Sequence, residues 1–160
     1  MAALILKPRP GRSWRLALRR YLVVILLGNL LWEFAQMPLY TIWSIGTWHE
    51  IFFAAVHCTA GDVLIALASL TLALLIAGVD DWPVQRSRHV AAVALVLGLA
   101  YTVFSEWINI VIRASWAYSA LMPTLNINGF DIGLSPIMQW ILVPLAGFWA
   151  VRRTLSCLDK

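Results

Sequence analysis

The chain has 160 residues, 61% of them hydrophobic and only 12% charged, with a net charge of +4. A soluble domain carries about 25% charged residues, so this composition excludes an ordinary water-soluble enzyme and points to one domain with a bilayer as its solvent. The basic residues sit at the ends of apolar runs rather than along one face, which excludes nucleic acid as a partner.

The fold expected is all-α, a bundle of four transmembrane helices over about residues 21–45, 51–78, 90–112 and 135–151. The first three runs meet the length of about 20 residues that a helix needs to cross the hydrocarbon, and the fourth is just long enough. Between them lie the breakers Gly46, Asp80-Asp81-Trp82-Pro83 and the stretch Pro123 to Gly133. Ahead of the first span, Arg19-Arg20 before "YLVVILLGNLL" has the look of an export signal. The apolar run is too long for one, and it continues into "WEFAQMPLYTIW" without a small-residue cleavage site, so an uncleaved span is expected. Residues 12–20 read as a basic interfacial helix with Trp14 among the headgroups.

Charge orients the spans. Lys7, Arg9, Arg12, Arg15, Arg19, Arg20, Arg86, Arg88, Arg152, Arg153 and Lys160 fall on one side, and Arg113 alone falls on the other. The positive-inside rule then places both termini and the 79–89 loop in the cytoplasm, with the 46–50 turn and the 113–134 loop outside. A bacterial inner membrane is the expected location. Cys58 lies within a span and Cys157 in the tail, so neither a disulfide nor a zinc site is expected.

Three acids stand inside the spans: Glu33, Asp62 and Glu106, one on each of the first three. A charged group at bilayer depth costs about 2.5–3.5 kcal/mol on insertion scales, which makes such a residue a candidate for function. Helical spacing draws polar stripes around them: Asn29, Glu33, Gln36 and Tyr40 on the first span, Thr102, Glu106, Asn109 and Arg113 on the third. The second span adds Cys58 and Asp62 on one face and His57 on another; the fourth adds Ser135 and Gln139 beside Trp140. Lipid cannot satisfy such stripes, so they are expected to turn inward on a polar pocket that opens outward. The competing reading of Gln36, Asn109 and Gln139 is hydrogen-bonding glue between helices.

Most of the nine tryptophans fall at span ends, as an aromatic belt would. Trp32, Trp107 and Trp140 each neighbour a stripe residue and are candidates to wall a pocket for an apolar or cationic ligand. The long outer loop is apolar and is expected to fold over the mouth or lie in the interface, with Asp131 facing the pocket.

Glu33, Asp62, Glu106 and His57 together suit acid–base chemistry. Carboxyls that share a dry site divide into a proton donor and an acceptor. Glu33 or Asp62 is expected as the neutral acid, Glu106 as the ionised one, and His57 as a relay. The same set has the donor chemistry of a non-haem iron, manganese or zinc site, but no spacing demands a metal, and no cofactor is assigned. The leading expectation is a pocket that binds or transforms a lipid-like or small hydrophobic molecule. Two alternatives stay open: a proton-coupled transporter acting as a homo-oligomer, and a non-catalytic subunit or assembly factor docking a partner membrane protein.

The segments "WEFAQMPLY", "HCTAGDVLI", "FSEWIN" and "LSPIMQWILVP" resemble a small family of four-helix bacterial inner-membrane proteins. Within them, "GDVL" (Gly61 to Leu64) and "QWILVPLAG" (Gln139 to Gly147) are similar to stretches of the EXPERA fold. That fold includes sterol isomerases and sigma-2-type receptors, so the resemblance implies intramembrane acids that meet cationic or sterol-like ligands. The histidine–acid pairing of the isomerases has no counterpart here, since the first span carries Glu33 without a histidine.

Overall fold

The computed structural model describes residues 10–77, 82–83, 86–127 and 129–158. Lys7, Arg9, Lys160 and the Asp80-Asp81 breaker lie outside the described residues, as do the side chains of Arg12 and Cys157. Helix α1 runs Pro10–Gln36 and passes through a 3-10 turn, Met37–Leu39, to the one-turn α2, Ile42–Ile45. Helix α3 covers Trp48–Ala77, and α4 covers Ser87–Trp107 with a π-helical turn at Ile108–Ile112. Strands β1 (Thr124–Ile127) and β2 (Phe130–Gly133) form an antiparallel hairpin before α5, Leu134–Leu158. Four helical segments are long and apolar enough to cross a membrane: Trp14–Leu39, Trp48–Ala77, Ser87–Ile112 and Leu134–Arg153.

Three local expectations are corrected. The first span is not one helix over 21–45. It begins at Pro10, where a proline suits a helix's first turn because the N–H there has no partner. Residues 12–20 thus belong to the long α1, and Trp14 packs edge-on to Trp82 with centroids 5.9 Å apart. The helix then ends near Pro38, and Tyr40 turns extended at φ −115° and ψ 149°. The outer loop also carries a hairpin, so the chain is helical but not wholly α.

Each long helix packs mainly on two others, in the cyclic order α1–α3–α4–α5. Antiparallel packing of α1 on α5 is visible in the contacts of Tyr21 with Phe148 (ring centroids 4.8 Å apart) and of Asn29 with Gln139. On every helix the inward face changes character at one level. Along α1 it steps through Ala17, Tyr21 and Ile25 to Asn29 and Glu33; along α4, through Val90, Ala94 and Gly98 to Thr102 and Glu106. In the opposite direction, α3 changes between Ala66 and Asp62, and α5 between Val143 and Gln139. The half holding the start of α1 and the end of α5 is therefore a dry core, apolar but for the buried Ser69, and the other half is polar.

Packing explains the division. Helices this apolar gain little from hydrophobic burial against one another if lipid surrounds them, so close van der Waals contact would have to hold them. Ala66, Ala73, Ala77, Ala94 and Gly98 allow that approach in the dry half. A Cβ on Gly98 would stand only 2.5 Å from the Trp140 ring, which shows how tightly α4 and α5 meet. In the polar half α3 instead leans on the end of α1, where Met37, Ile51 and Ala55 form a separate cluster and Phe34 meets Phe52 at 5.8 Å. No α4 residue joins that cluster. Space opens between the helices.

Candidate functional site

The space is a cavity of about 810 Å³ reached by all four long helices. Small-molecule sites occupy about 300–1,000 Å³, so its size suits a ligand. Glu33, Asp62, Glu106 and Gln139 all line it, together with Tyr40, Cys58, Thr102 and Trp140.

Gln139 organises one wall. Its Nε2 lies 3.0 Å from Asn29 Oδ1, 3.0 Å from Glu33 Oε1 and 2.9 Å from Asp62 Oδ2, which ties α5 to α1 and α3 at once. A primary amide has two hydrogens, and here three acceptors surround it. Gln36 Nε2 relieves part of the shortage by donating to Glu33 Oε1 at 3.0 Å and to Gln139 Oε1 at 3.2 Å. Trp140 Nε1 donates to Asp62 Oδ1 at 3.1 Å. Glu33 and Asp62 share the Gln139 amide as a common donor, which brings the two carboxyls to one wall.

The network extends behind the cavity. Ser135 donates to Gln36 Oε1 at 2.7 Å and accepts from Trp32 Nε1 at 3.1 Å. Trp32 therefore supports the wall through a serine without lining the cavity. Asn29 completes the inner edge by donating to the Ile25 carbonyl at 2.9 Å.

Glu106 belongs to a different wall. The Tyr118 hydroxyl donates to its Oε2, and the same hydroxyl accepts the Gly133 N–H at 2.9 Å. Tyr118 also sits in a roof. Thr41 N–H donates to the Ala117 carbonyl and Ser119 N–H to the Leu39 carbonyl, both at 2.9 Å, on either side of a bridge between Tyr40 and Tyr118. Burial pushes both phenols above the ordinary tyrosine value, and the neighbouring Glu106 pushes them further. The Trp116 indole N–H is buried beside Glu106, with no well-formed hydrogen bond among the described residues. Sequence periodicity gave no hint of Tyr118, because a loop residue has no fixed helical face.

The remaining candidates divide. Asn109 lines the cavity and spends its amide on the Ser105 carbonyl at 2.9 Å. His57 lines only the rim: it is exposed and stacks on Phe53 with centroids 5.6 Å apart. It makes no direct hydrogen bond to the acids among the described residues. Trp107 is 41% exposed and lies outside the cavity, against Phe104. The reason is angular: Trp107 follows Glu106 and points about 100° away from it round the helix. Asp131 is exposed and accepts from Asn126 at 2.8 Å, so it does not face the cavity.

Glu50 also lines the mouth, but its carboxylate accepts Thr47 N–H at 2.7 Å and the Thr47 hydroxyl at 2.8 Å. Glu50 N–H returns a bond to that hydroxyl, which makes Thr47–Glu50 the capping box of α3. Among the described residues, no three His, Cys, Asp or Glu side chains come together as a metal-holding group. No protein-family model, curated protein or solved structure matches the chain.

Proposed function

We propose that the chain is an integral membrane protein, with both ends cytoplasmic, whose outward-opening cavity binds or transforms a lipid-like or small hydrophobic molecule. The bacterial inner membrane is the proposed location, on the strength of the eleven basic residues that fall on one side. Proton exchange with the bound molecule falls to Glu33, Asp62 and Glu106. One observation carries this reading: acids from three helices line a single cavity of about 810 Å³ and are held there by neutral donors, Gln36, Gln139, Trp140 and Tyr118.

The direction of the stripes favours this reading over a docking subunit. Asn29, Glu33, Gln36, Asp62, Glu106 and Gln139 are all buried inside the bundle, whereas a docking surface would leave some of them facing out. The dry half favours it over a carrier, which must open its site to both sides.

Native mass spectrometry of the detergent-purified protein, with lipid analysis of whatever co-purifies, tests the proposal alongside Glu33→Gln and Asp62→Asn. The expected result is a bound molecule that is lost in the variants. An empty protein that captures a defined membrane partner equally well in all three forms would overturn it.

A further inference from the structure

The cavity meets the bilayer along one seam. On α3 its lining steps through Ala54, Cys58, Gly61 and Ile65, and on α4 through Tyr101, Ser105 and Asn109. These two rows flank the part of the α3–α4 interface that the small-residue core leaves unfilled. Gly61 marks the gap: a Cβ built there meets nothing within 4 Å. The contrast with Gly98, whose Cβ would collide with Trp140, is a contrast between an open and a closed interface. Leu64 and Tyr101 line the cavity and yet are 67% and 49% exposed, so each belongs to both the inside and the lipid-facing surface.

The other ways in are more constrained. Hydrogen bonds tie α1 to α5 through Gln36, Gln139 and Ser135. Above the cavity, the Ala117–Ser119 segment is held to the α1–α2 connection by main-chain bonds at Ala117 and Ser119. At the inner end Glu33, Asp62 and Glu106 offer acceptor oxygens, while the amide hydrogens of Gln139 and Gln36 are already engaged; the cation of the lining, Arg113, is exposed at the end of the π-helical turn.

From these features, and resting on the binding function proposed above, we infer that the ligand is a single-chain amphiphile that enters sideways from the bilayer between α3 and α4. Its hydrogen-bond-donating head reaches Glu33, Asp62 and Glu106, and its tail remains in the gap beside Gly61, between Leu64 and Tyr101. A carboxylate head brings acceptors alone to a wall already lined by acceptor oxygens.

The test uses the full chain in lipid nanodiscs and a monoacylglycerol with a photoreactive diazirine in its acyl chain, with the matching fatty acid as the anionic control. Adducts are mapped by peptide mass spectrometry. The glyceride is expected to label Leu64 or Tyr101, about tenfold more than the fatty acid does. Gly61→Phe fills open space and replaces a poor helix former, so the fold tolerates it. That variant is expected to lose the label while still binding glycerol monobutyrate, whose tail is too short to occupy the seam. Unchanged labelling of Leu64 and Tyr101 in Gly61→Phe overturns the sideways route but leaves the cavity proposal standing. Equal labelling by the fatty acid overturns the choice of head. Failure of the wild-type protein to bind either glyceride overturns this inference and weakens the binding function itself.

Discussion

Trp140 and Asp62 meet across the bundle, the indole N–H donating to Oδ1 at 3.1 Å although α3 and α5 are not neighbours in the ring of helices. Their bond spans the floor of the cavity, at the level where the dry core ends. Trp140 thus has two jobs: its ring packs on Gly98, and its polar edge holds an acid. Trp140→Phe separates them. We expect a loss of about 1 kcal/mol in detergent unfolding, the usual scale of one intramembrane hydrogen bond, with the fold retained.

Gly98→Ala attacks the same contact from the other side. Its methyl would enter the Trp140 ring, and overpacking of this kind costs about 1–3 kcal/mol. The displaced indole should also release Asp62. A fall in melting temperature and a shift in tryptophan emission are the expected signs. An unchanged melting temperature would mean that α4 and α5 lie further apart than described.

Gln139→Leu removes the amide around which Asn29, Glu33 and Asp62 gather. Unpaired buried acceptors are costly, and a loss of about 2–3 kcal/mol is expected. Glu33→Gln restores an amide at the centre of the network, so the double variant should recover part of that loss. A double-mutant cycle showing simple additivity would contradict the shared network.

Tyr118 supplies a pH signature. Its phenol is raised above the ordinary tyrosine value of about 10 by burial and by Glu106. The folded state therefore keeps the proton where the unfolded chain gives it up. The resulting stability is present below the ordinary value and is lost as pH rises from there through the folded one. Tyr118→Phe should flatten the alkaline limb of a stability profile, and the phenolate absorbance of the native protein should lag behind that of the unfolded chain.

Cys58 offers a probe of the cavity's charge, since it is half-buried and lines the space with Asp62 and Glu106. In a Cys157→Ser background, a cationic thiosulfonate should modify it about tenfold faster than an anionic one of similar size. Equal rates would show that the acids exert no field on the space.

Much of this architecture is legible in the chain, for a definable reason. Lipid forces polar groups inward, so the spacing of Asn29, Glu33 and Gln36 identifies a buried face without knowledge of its partner. The convergence of that face with Gln139 follows. Periodicity fails where the regular helix ends. Pro38 breaks the first span early, and the expectation of one helix to residue 45 overlooked its missing N–H. The dipeptide Asn128-Gly129 between two short alternating runs is a hairpin signal, and Gly129 adopts φ +84°. The reading of the loop as an apolar cover did not use that signal. Tyr118 was not legible at all. Its pairing with Glu106 depends on the path of a loop, which no local pattern encodes.

The division of the bundle into a dry half and a polar half also bears on membrane voltage. An electric field falls mainly across the material that conducts least, here the packed layer from Tyr21 and Ile25 to Leu70 and Val90. A cavity that fills with water would carry little of the drop. Moving one elementary charge through the full field is worth about 2.3 kcal/mol per 100 mV, but a proton reaching Asp62 from the mouth crosses only a small part of it. The acids should therefore answer to the acidity of the compartment the mouth faces, and stay almost indifferent to whether the membrane is energised.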